Sequence, residues 1–393
     1  MGMGRLNHPQ SESRHERILV VRNRYIGDTL LAIPFLRNLR RGFPDATIDV
    51  LVDPGSGSVL AECPYKDELI TWHRSSSERG GMLPKSLDNI LDNAARLKAR
   101  GYTRTYLLKR SFSSGLLVWL AGIPHRVGGD FQGRRPLLTR SVSIDRCRHE
   151  AEHFLDLLRD DGIAVDDGHN ENWASPAAIR RSAEVTADLP TDRPRVFLAP
   201  KATNPNREWP LDRMAAAADW LVQQRDCEIC FCGAPRDIPA HEAIRGLMQP
   251  AHREHVHDFS RDLRLDETGA FLASMDLYLG VDTGLAHLAA SFNTPVVVLF
   301  GPSDPNQWHP WGTACEVVRG SSLRRSFAHR LQQWRSDRSP APLRWTLGET
   351  SMNDIAVEPV TEAAARLLDR HRPRVLPTPK FRQRSRSPMP IGS

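Results

Sequence analysis

The sequence predicts an α/β protein made of two domains, each built around a parallel β-sheet. In both halves of the chain, short apolar segments alternate with segments of helical periodicity. The length of 393 residues suits two domains better than one. Hydrophobic residues make up 40% of the chain and charged residues 25%, which is typical of a globular protein rather than a disordered or membrane-embedded one.

The first half shows the strand–helix–strand order with short connections that is typical of a parallel sheet. Its first predicted helix carries leucine and isoleucine at helical spacing, with Pro34 near the start, where a missing N–H is tolerated. The elements predicted in this half are strands at 18–21, 47–52, 68–71 and 102–108 and helices at 29–41, 83–100 and 150–161.

The second half repeats the alternation after a segment, about 166–194, that lacks periodicity and is rich in Asp, Asn, Pro and Thr. Two such domains in series leave a cleft between them, and ligands bind at the carboxyl ends of the strands. The elements predicted in this half are strands at 195–199, 228–232, 277–280 and 295–300 and helices at 211–224, 238–248, 268–274, 285–291 and 360–370.

These patterns divide the chain into six segments. We expect them to be a disordered N-terminus (1–16), an N-terminal α/β domain (17–175), a linker (176–194), a C-terminal α/β domain (195–353), a final helix (354–370) and a basic disordered tail (371–393).

The formal net charge of +6 arises in the tail. Residues 370–393 contain seven Lys or Arg and no acid, so the rest of the chain is close to neutral. The tail is either a solvated disordered end or a contact for anionic lipid or nucleic acid. The N-terminus has no apolar region of a secretory signal, and the longest apolar run, 115–123, is shorter than the ~20 residues of a spanning helix.

Six cysteines without regular spacing do not indicate a disulfide framework. Cys227, Cys230 and Cys232 lie close together, but no second Cys/His pair at a suitable spacing completes a set of four metal ligands. We therefore expect a buried strand there and no metal site.

Three loops carry candidate chemistry, and the first joins the first strand to the first helix (22–28, RNRYIGD). Gly27 permits a tight turn close to a ligand. Asp28 has two interpretations that the residues alone leave open. It is a helix N-cap, for which Asp is a preferred residue, or a general base that faces the cleft and takes a proton from an acceptor hydroxyl.

The second loop (201–210, KATNPNREWP) follows the first strand of the second domain. Lys201, Thr203 and Arg207 at a strand-to-helix turn are suited to a diphosphate, since Arg offers a forked donor and helix N-termini attract anions. An ordinary surface loop is the alternative.

The third loop (280–287, GVDTGLAH) lies where a strand ends and a helix begins. Small residues such as Gly284 allow a phosphate or sugar to approach the backbone. His287 follows Thr283 by one helical turn, so both side chains can face one pocket, and Asp282 is placed to hold the threonine hydroxyl or a backbone N–H. The alternative for His287 is a packed histidine of the core.

Several common nucleotide motifs are absent from the sequence. There is no G-x-G-x-x-G after the first strand and no G-x-x-x-x-G-K-[ST], which argues against a Rossmann dehydrogenase and a Walker-type NTP site. No D-x-D pair follows an N-terminal strand, so a metal-chelated diphosphate is not indicated.

Together the three loops resemble the ADP-heptose heptosyltransferases of lipopolysaccharide core synthesis, glycosyltransferase family nine. The resemblance runs from about residue 17 to residue 370, and its most specific part is the order of turn, helix, strand and GPSDP at 279–312. The similar stretches are ILVVRNRYIGDTLLAIPFLRNLRRGFP (18–44), HEAEHFLDLLRDDGI (149–163), ATNPNREWPLDRM (202–214) and LGVDTGLAHLAASFNTPVVVLFGPSDPNQWHPWG (279–312).

The resemblance implies a GT-B architecture of two Rossmann-like domains, with the acceptor on the first domain, the donor on the second and the final helix returning to the first. It implies an inverting, metal-independent transfer from a nucleotide sugar to a glycolipid or oligosaccharide acceptor, without a cofactor and without nucleic acid, in the cytoplasm or at the inner-membrane face. In this family the aspartate of the IGD motif, here Asp28, is the general base. The donor residues then fall on Thr203, Arg207, Asp282, Thr283, Gly284 and His287.

One departure bears on the donor. The family usually has Lys before x-W-P, whereas this chain has Arg207, a planar fork instead of a point charge. The competing functions are a nucleotide-sugar 2-epimerase of the same fold and a non-catalytic nucleotide-sugar-binding protein.

Overall fold

The chain is described here by a computed structural model that covers residues 15–22, 25–72, 85–145, 148–320 and 350–370. These residues form two parallel sheets of six strands each, so the predicted α/β fold of two Rossmann-like domains is confirmed. The tail at 371–393 and nearly all of the N-terminal segment at 1–16 lie outside the described residues.

The first sheet has the strand order β3-β2-β1-β4-β5-β6, and every neighbouring pair is parallel. The elements of this half are, in chain order, β1 (Arg17–Val21), α1 (Ile26–Leu30), α2 (Ile33–Gly42), β2 (Thr47–Val52), β3 (Glu68–Thr71), α3 (Lys85–Lys98), β4 (Arg104–Leu107), α4 (Phe112–Leu120), β5 (His125–Gly129), β6 (Arg140–Val142), α5 (Glu150–Asp160) and α6 (Pro176–Val185).

The second sheet has the order β12-β11-β10-β7-β8-β9, which is the same topology as the first sheet when the strands of each domain are counted from one to six. Its elements are β7 (Arg195–Ala199), α7 (Leu211–Arg225), β8 (Glu228–Phe231), α8 (Ile238–Leu247), β9 (Val256–Asp258), α9 (Leu265–Ala273), β10 (Leu277–Val281), α10 (Gly284–Ser291), β11 (Val296–Phe300), α11 (Pro305–Trp308), β12 (Cys315–Arg319) and α12 (Val357–Arg370).

This topology gives each sheet a point at which the strand order reverses, between β1 and β4 and between β7 and β10. Ligands of open α/β sheets bind beyond the carboxyl ends of the strands at such points. The chain leaves β1 at Arg22 and β10 at Asp282, so the first and third candidate loops both lie at a reversal point.

Alternation along β1 explains why helices cover both faces of the first sheet. Ile18 and Val20 join the apolar cluster that contains α2 and α5, whereas Leu19 and Val21 join the cluster on the opposite face with α3 and α4. The first of these clusters continues into the second domain, because it also contains Phe197 of β7. The facing layers of the two domains are therefore packed together.

The predicted helix at 29–41 is two helices. A turn at Leu31 and Ala32 separates α1 from α2, and Pro34 in the first turn of α2 has no N–H to continue the α1 hydrogen-bond ladder. The start of the first helix also moves, because Tyr25 occupies the N-cap position and Asp28 lies inside α1.

The segment expected to be a linker, 176–194, contains helix α6. Ser175 caps its N-terminus by accepting a hydrogen bond of 3.1 Å from the Ala178 N–H, and α6 packs against α9 of the second domain. The sequence hid this helix because Ala178 and Ser182 are its only buried positions, too few for a visible apolar period.

The expectation that the final helix returns to the first domain is wrong. The buried face of α12 lies in the apolar cluster of the second sheet, with Val360, Ala363 and Leu367 beside Val196 and Leu221. Its segment is also held by hydrogen bonds, since the Trp209 indole N–H donates to the Ile355 carbonyl oxygen at 3.1 Å.

Besides α6, the sequence analysis missed α4, the short α11, the inner strand β5 and the edge strands β6, β9 and β12. The apolar run at 115–123 forms most of α4, while β5, β6, β9 and β12 have charged or exposed residues that disguise them. In the part of the chain that the structure describes, no helix has the length and apolar character needed to cross a membrane.

Candidate active site

Asp28 is paired with an arginine and does not cap its helix. No side chain caps α1, and the half-buried Asp28 carboxylate forms an ion pair with the buried Arg22 guanidinium. Arg22 also donates to the Asp28 carbonyl oxygen at 3.2 Å and to the Leu108 carbonyl oxygen at 3.3 Å. The capping interpretation of Asp28 is therefore wrong, while its role as a base stays a prediction.

The turn that carries Asp28 touches the third candidate loop across the domain boundary. A Cβ atom on Gly27 would lie 2.6 Å from Cδ2 of His287, and a Cβ atom on Gly284 would lie 3.0 Å from Cβ of Ile26. Such distances leave no room for a side chain at Gly27. Two glycines thus allow the IGD turn of one domain and the DTG turn of the other to meet.

The DTG turn combines a buried acid with an extended residue before a helix. Asp282 is 7% exposed, and Nη1 of Arg207 lies 3.3 Å from its Oδ2. Burial raises the pKa of Asp282, and the charge of Arg207 opposes that effect. Thr283 occupies the N-cap position of α10 with φ −143° and ψ 172°, and its hydroxyl lies 3.4 Å from the Tyr278 hydroxyl. The expected hold of Asp282 on this hydroxyl is not seen.

The second candidate loop lies partly at the surface. Thr203 is exposed, and Arg207 ends a short 3₁₀ turn and reaches Asp282 with a guanidinium whose side chain is 42% exposed. Lys201 instead pairs with Glu208, Nζ to Oε2, at 2.5 Å. Within this loop, Arg207 is thus the cation that the structure brings to the DTG turn.

The two ion pairs of the site have opposite arrangements. In the first domain the arginine is covered and the acid is open, with side-chain exposures of 5% for Arg22 and 21% for Asp28. In the second domain the acid is covered and the arginine is open, with side-chain exposures of 9% for Asp282 and 42% for Arg207. The open members are a carboxylate on one side and a guanidinium on the other.

His287 is packed at the boundary and belongs to a group of three histidines. It is 5% exposed beneath Gly27. His149, the N-cap residue of α5, hydrogen-bonds through Nε2 to the His309 carbonyl oxygen at 2.8 Å and stacks on Trp311 with ring centroids 4.5 Å apart. Burial lowers the pKa of His287 to about 3 and that of His149 to about 4, and the neighbouring histidines act in the same direction.

Sequence reasoning gave no role to Arg22, Arg110, His149 or Glu150. Arg22 directly follows an apolar strand, but its burial, and with it the need for a paired anion, is seen only in the structure. Nothing in the sequence shows that Glu150 of α5 lies beside Arg110, 40 residues earlier in the chain.

Comparison with known proteins identifies the family. The model of glycosyltransferase family 9 (heptosyltransferase) matches residues 90–333, more than half of the chain. The chain belongs to glycosyltransferase family 9. It is 27% identical over 312 residues to lipopolysaccharide heptosyltransferase 2 of Escherichia coli K12, covering 77% of this chain and 88% of that protein. It is 26% identical over 297 residues to lipopolysaccharide heptosyltransferase 3 of the same strain, with coverages of 73% and 83%.

Solved structures agree with the fold of this family 9 glycosyltransferase. The E. coli ADP-heptose lipopolysaccharide heptosyltransferase II structure aligns with a TM-score of 0.69 at 23% identity and covers 90% of this chain and 99% of that one. The family 9 enzyme of Veillonella parvula DSM 2008 gives a TM-score of 0.73 at 22% identity, with coverages of 92% and 99%. The GT-B architecture implied by the sequence resemblance is thereby confirmed.

The contact at Gly27 predicts an effect of one added methyl group. Gly27→Ala forces the His287 ring or α1 to move, so we expect kcat to fall about 10- to 100-fold through misplacement of Asp28. Gly55→Ala is the matched control, since a Cβ atom there meets nothing within 4 Å. Steady-state kinetics of the two variants measure this effect. Equal kcat values in Gly27→Ala and Gly55→Ala would contradict the tight contact between Gly27 and His287.

The buried histidines predict that stability falls as the pH is lowered from 7 to 5. The folded protein keeps His149 and His287 neutral in this range, while the unfolded chain takes up protons near pH 6.5, so protons favour unfolding. Each residue accounts for up to about 2 kcal/mol between pH 6.5 and 5. The contribution of the two neutral histidines to stability is fully present above pH 6.5. It decreases as the pH falls from 6.5 towards their lowered pKa values.

Urea denaturation at pH 7 and pH 5 measures this loss. His287→Leu should reduce the pH dependence of the free energy of unfolding, whereas His169→Asn, at an exposed position, should leave it unchanged. An unchanged pH dependence in His287→Leu would show that this histidine does not carry the effect.

Proposed function

We propose that this enzyme transfers heptose from ADP-heptose, with inversion, to a hydroxyl of the lipopolysaccharide inner core. The observation that carries the proposal is the direct contact between the turn that holds Asp28 and the turn that begins α10. The family and the printed names of its lipopolysaccharide heptosyltransferase relatives support the choice of sugar and acceptor.

In the proposed reaction the acceptor hydroxyl oxygen attacks the anomeric carbon of the donor from the face opposite the diphosphate. The bond between that carbon and the phosphate oxygen breaks, and ADP leaves with the bonding electron pair. Asp28 accepts the hydroxyl proton as the new carbon–oxygen bond forms, a role that typically contributes ~10²–10⁴-fold. Its partial exposure leaves it open to an acceptor on the first domain.

The second domain supplies positive potential for the leaving diphosphate. The N-terminus of α10, after Thr283 and Gly284, presents backbone N–H groups, and Arg207 is the open cation beside it. A preorganised donor of this kind is worth about 10²–10³-fold in the chemical step. Thr203, Asp282 and His287 complete the proposed donor site, with His287 supporting the turn from beneath.

The acceptor is proposed to be a glycolipid or oligosaccharide held by the first domain, and the enzyme to work in the cytoplasm at the inner-membrane face without nucleic acid. Arg110 is suited to an anionic acceptor, since its guanidinium lies between the Phe131 ring at 4.9 Å and the Trp308 ring at 5.7 Å and is 30% exposed. Arg110 comes from the first domain and Trp308 from the second, so an acceptor there touches both.

A donor screen followed by a transfer assay tests the function. Thermal shift with ADP, UDP, GDP and their sugars should give the largest stabilisation with the ADP compounds. Incubation with ADP-heptose alone should leave the sugar intact, and addition of a heptose-deficient core acceptor should release ADP. Turnover of a nucleotide sugar without acceptor would indicate an epimerase, and binding without turnover a binding protein.

Asp28→Asn should abolish catalysis and leave donor binding intact. We expect kcat to fall by about 10²-fold or more, because the amide cannot accept the acceptor proton. ADP affinity should stay unchanged, since the donor lies on the second domain. Asp45→Asn, an exposed position of the same domain, is the control. Near-native kcat in Asp28→Asn would return the search for the base to other residues of the first domain.

Nucleotide affinity should depend on the DTG turn and its arginine. Arg207→Ala and Thr283→Ala together should weaken ADP binding by about tenfold or more, through loss of charge-assisted hydrogen bonds. Arg207→Lys keeps the positive charge but removes the forked guanidinium, so it separates the effect of charge from that of shape. Arg236→Ala is the control, because the Arg236 side chain is 80% exposed. Unaltered ADP affinity in the double variant, by calorimetry, would place the donor elsewhere.

Transfer should proceed without a divalent metal or other cofactor. The proposed counter-charges for the diphosphate are Arg207 and the α10 N-terminus. In the described part of the chain, no group of three or more His, Cys, Asp or Glu is placed to hold a metal ion. We expect equal rates with and without EDTA; activity lost with EDTA and restored by magnesium or manganese would overturn this prediction.

A further inference from the structure

A row of charges of alternating sign leads from Asp28 into the first domain, and its two middle members, Arg22 and Glu150, are buried. Arg22, which pairs with Asp28, is 4% exposed. It lies against the Phe154 ring, one turn along α5 from Glu150. Glu150, at the start of that helix, is 2% exposed, and the charges of Arg22 and Glu150 act on each other. Glu150 forms an ion pair with Arg110, and its Oε2 lies 3.0 Å from Nδ1 of His153. This row therefore continues from Asp28 through two arginines that enclose Glu150.

Arg22 cannot turn towards water. Two main-chain carbonyl oxygens accept hydrogen bonds from its guanidinium, which also lies 5.5 Å from the centre of the Phe154 ring. Burial lowers the pKa of Arg22 to about 10, and the charge of Glu150 opposes that effect. The guanidinium thus stays charged at neutral pH and depends on anions within the protein.

Glu150 is itself held in the charged form. Burial acts to raise its pKa, but the hydrogen bond with His153 and the charges of Arg110 and Arg22 outweigh burial, so the pKa lies below the ordinary value. A carboxylate this deeply buried costs stability unless it is paired. The packing of α5 alone therefore does not explain why a carboxylate occupies this buried position.

The need for Glu150 becomes clear when Asp28 takes up a proton. Protonation removes the negative charge next to Arg22, and a buried guanidinium without a nearby anion is strongly unfavourable. Glu150 remains charged and supports Arg22 at that moment. Arg22 favours the ionised form of Asp28, whereas Glu150 weakens that preference and makes Asp28 a stronger base.

We propose that Glu150 is a positioning residue that sets the proton affinity of the catalytic base through Arg22. The inference rests on the proposed role of Asp28 as that base. Besides Arg22, the charged or titratable groups around the row lie on both domains. They are Arg110 after β4, Arg134 near Arg110, His149 and His153 beside Glu150 and, from α10 of the second domain, His287 against Gly27.

The test is the pH profile of kcat for Glu150→Gln. Its acid limb, which reports the base in the enzyme–substrate complex, should move to lower pH by about half a unit. Plateau kcat should fall about 3- to 10-fold. Glu152→Gln is the matched control, because Glu152 lies on the same helix and pairs with Arg148 at 2.7 Å and Arg159 at 2.9 Å. Its acid limb should stay in place, as should that of the charge-retaining Glu150→Asp.

Arg22→Met should shift the acid limb in the opposite direction, upward by about one pH unit. The double variant Arg22→Met/Glu150→Gln removes both buried charges, so neither remains unpaired. It therefore keeps the test possible if Glu150→Gln alone fails to fold. Because Glu150 acts through Arg22, adding Glu150→Gln to Arg22→Met should move the acid limb by much less than Glu150→Gln moves it in the wild-type enzyme, since only direct repulsion between the two carboxylates then remains.

Two results would overturn the inference. One is an acid limb in Glu150→Gln that equals that of Glu152→Gln while the melting temperature falls, which is the pattern of a purely structural residue. The other is a shift of the acid limb by Glu150→Gln that is as large in the Arg22→Met background as in the wild-type enzyme. Asp28→Asn measured in parallel keeps the two proposals apart, since retained kcat in that variant refutes the base itself.

Discussion

The close approach of Gly27 to the His287 ring is the constraint on which the rest of the site depends. It brings the first turn of α1 against α10, and Gly284 allows the reciprocal approach to Ile26. In the proposed reaction, the base on one domain and the donor site on the other have to be held at a separation set to within about an ångström. In this protein two glycines and one buried imidazole set that separation, with apolar layers of both domains packed behind them.

The electrostatics of the two domains follow the same plan with the signs exchanged. Each reversal point carries one arginine–aspartate pair with a covered member and an open one. In the proposed reaction, the partly exposed carboxylate of Asp28 accepts a hydroxyl proton and the partly exposed guanidinium of Arg207 binds a phosphate. Pairing also solves a cost of burial, because neither covered charge is left without a counter-ion.

Helix α5 connects the acceptor side of the site to the domain boundary. Its N-cap residue, His149, stacks on Trp311 of the second domain, and the next residue, Glu150, belongs to the charge row beneath Asp28. A change in how the domains meet at Trp311 therefore acts on the same helix end that holds Glu150. Neutral, buried histidines suit this boundary, because their rings pack like apolar groups while they remain unprotonated.

The α/β class, most of the strands and helices of both sheets and the three loops of the candidate site could be predicted from the sequence. Strand β10 and the part of β1 after Arg17 are apolar and short, and the turns after them carry polar and small residues, so local pattern was sufficient. The resemblance of these loops to family nine also held. Helix α6 and the edge strands β6, β9 and β12 escaped because few of their residues are buried.

The tertiary structure alone decided what Asp28 does in its helix, where α12 packs and which charges meet. A local pattern cannot distinguish an N-cap from a residue inside the first turn when Tyr25, with its positive φ of 56°, starts the helix. Nor can it pair Arg110 with Glu150 or Arg207 with Asp282, which are far apart in the chain. Such pairs depend on the order of strands in a sheet, and that order is a property of the packed molecule.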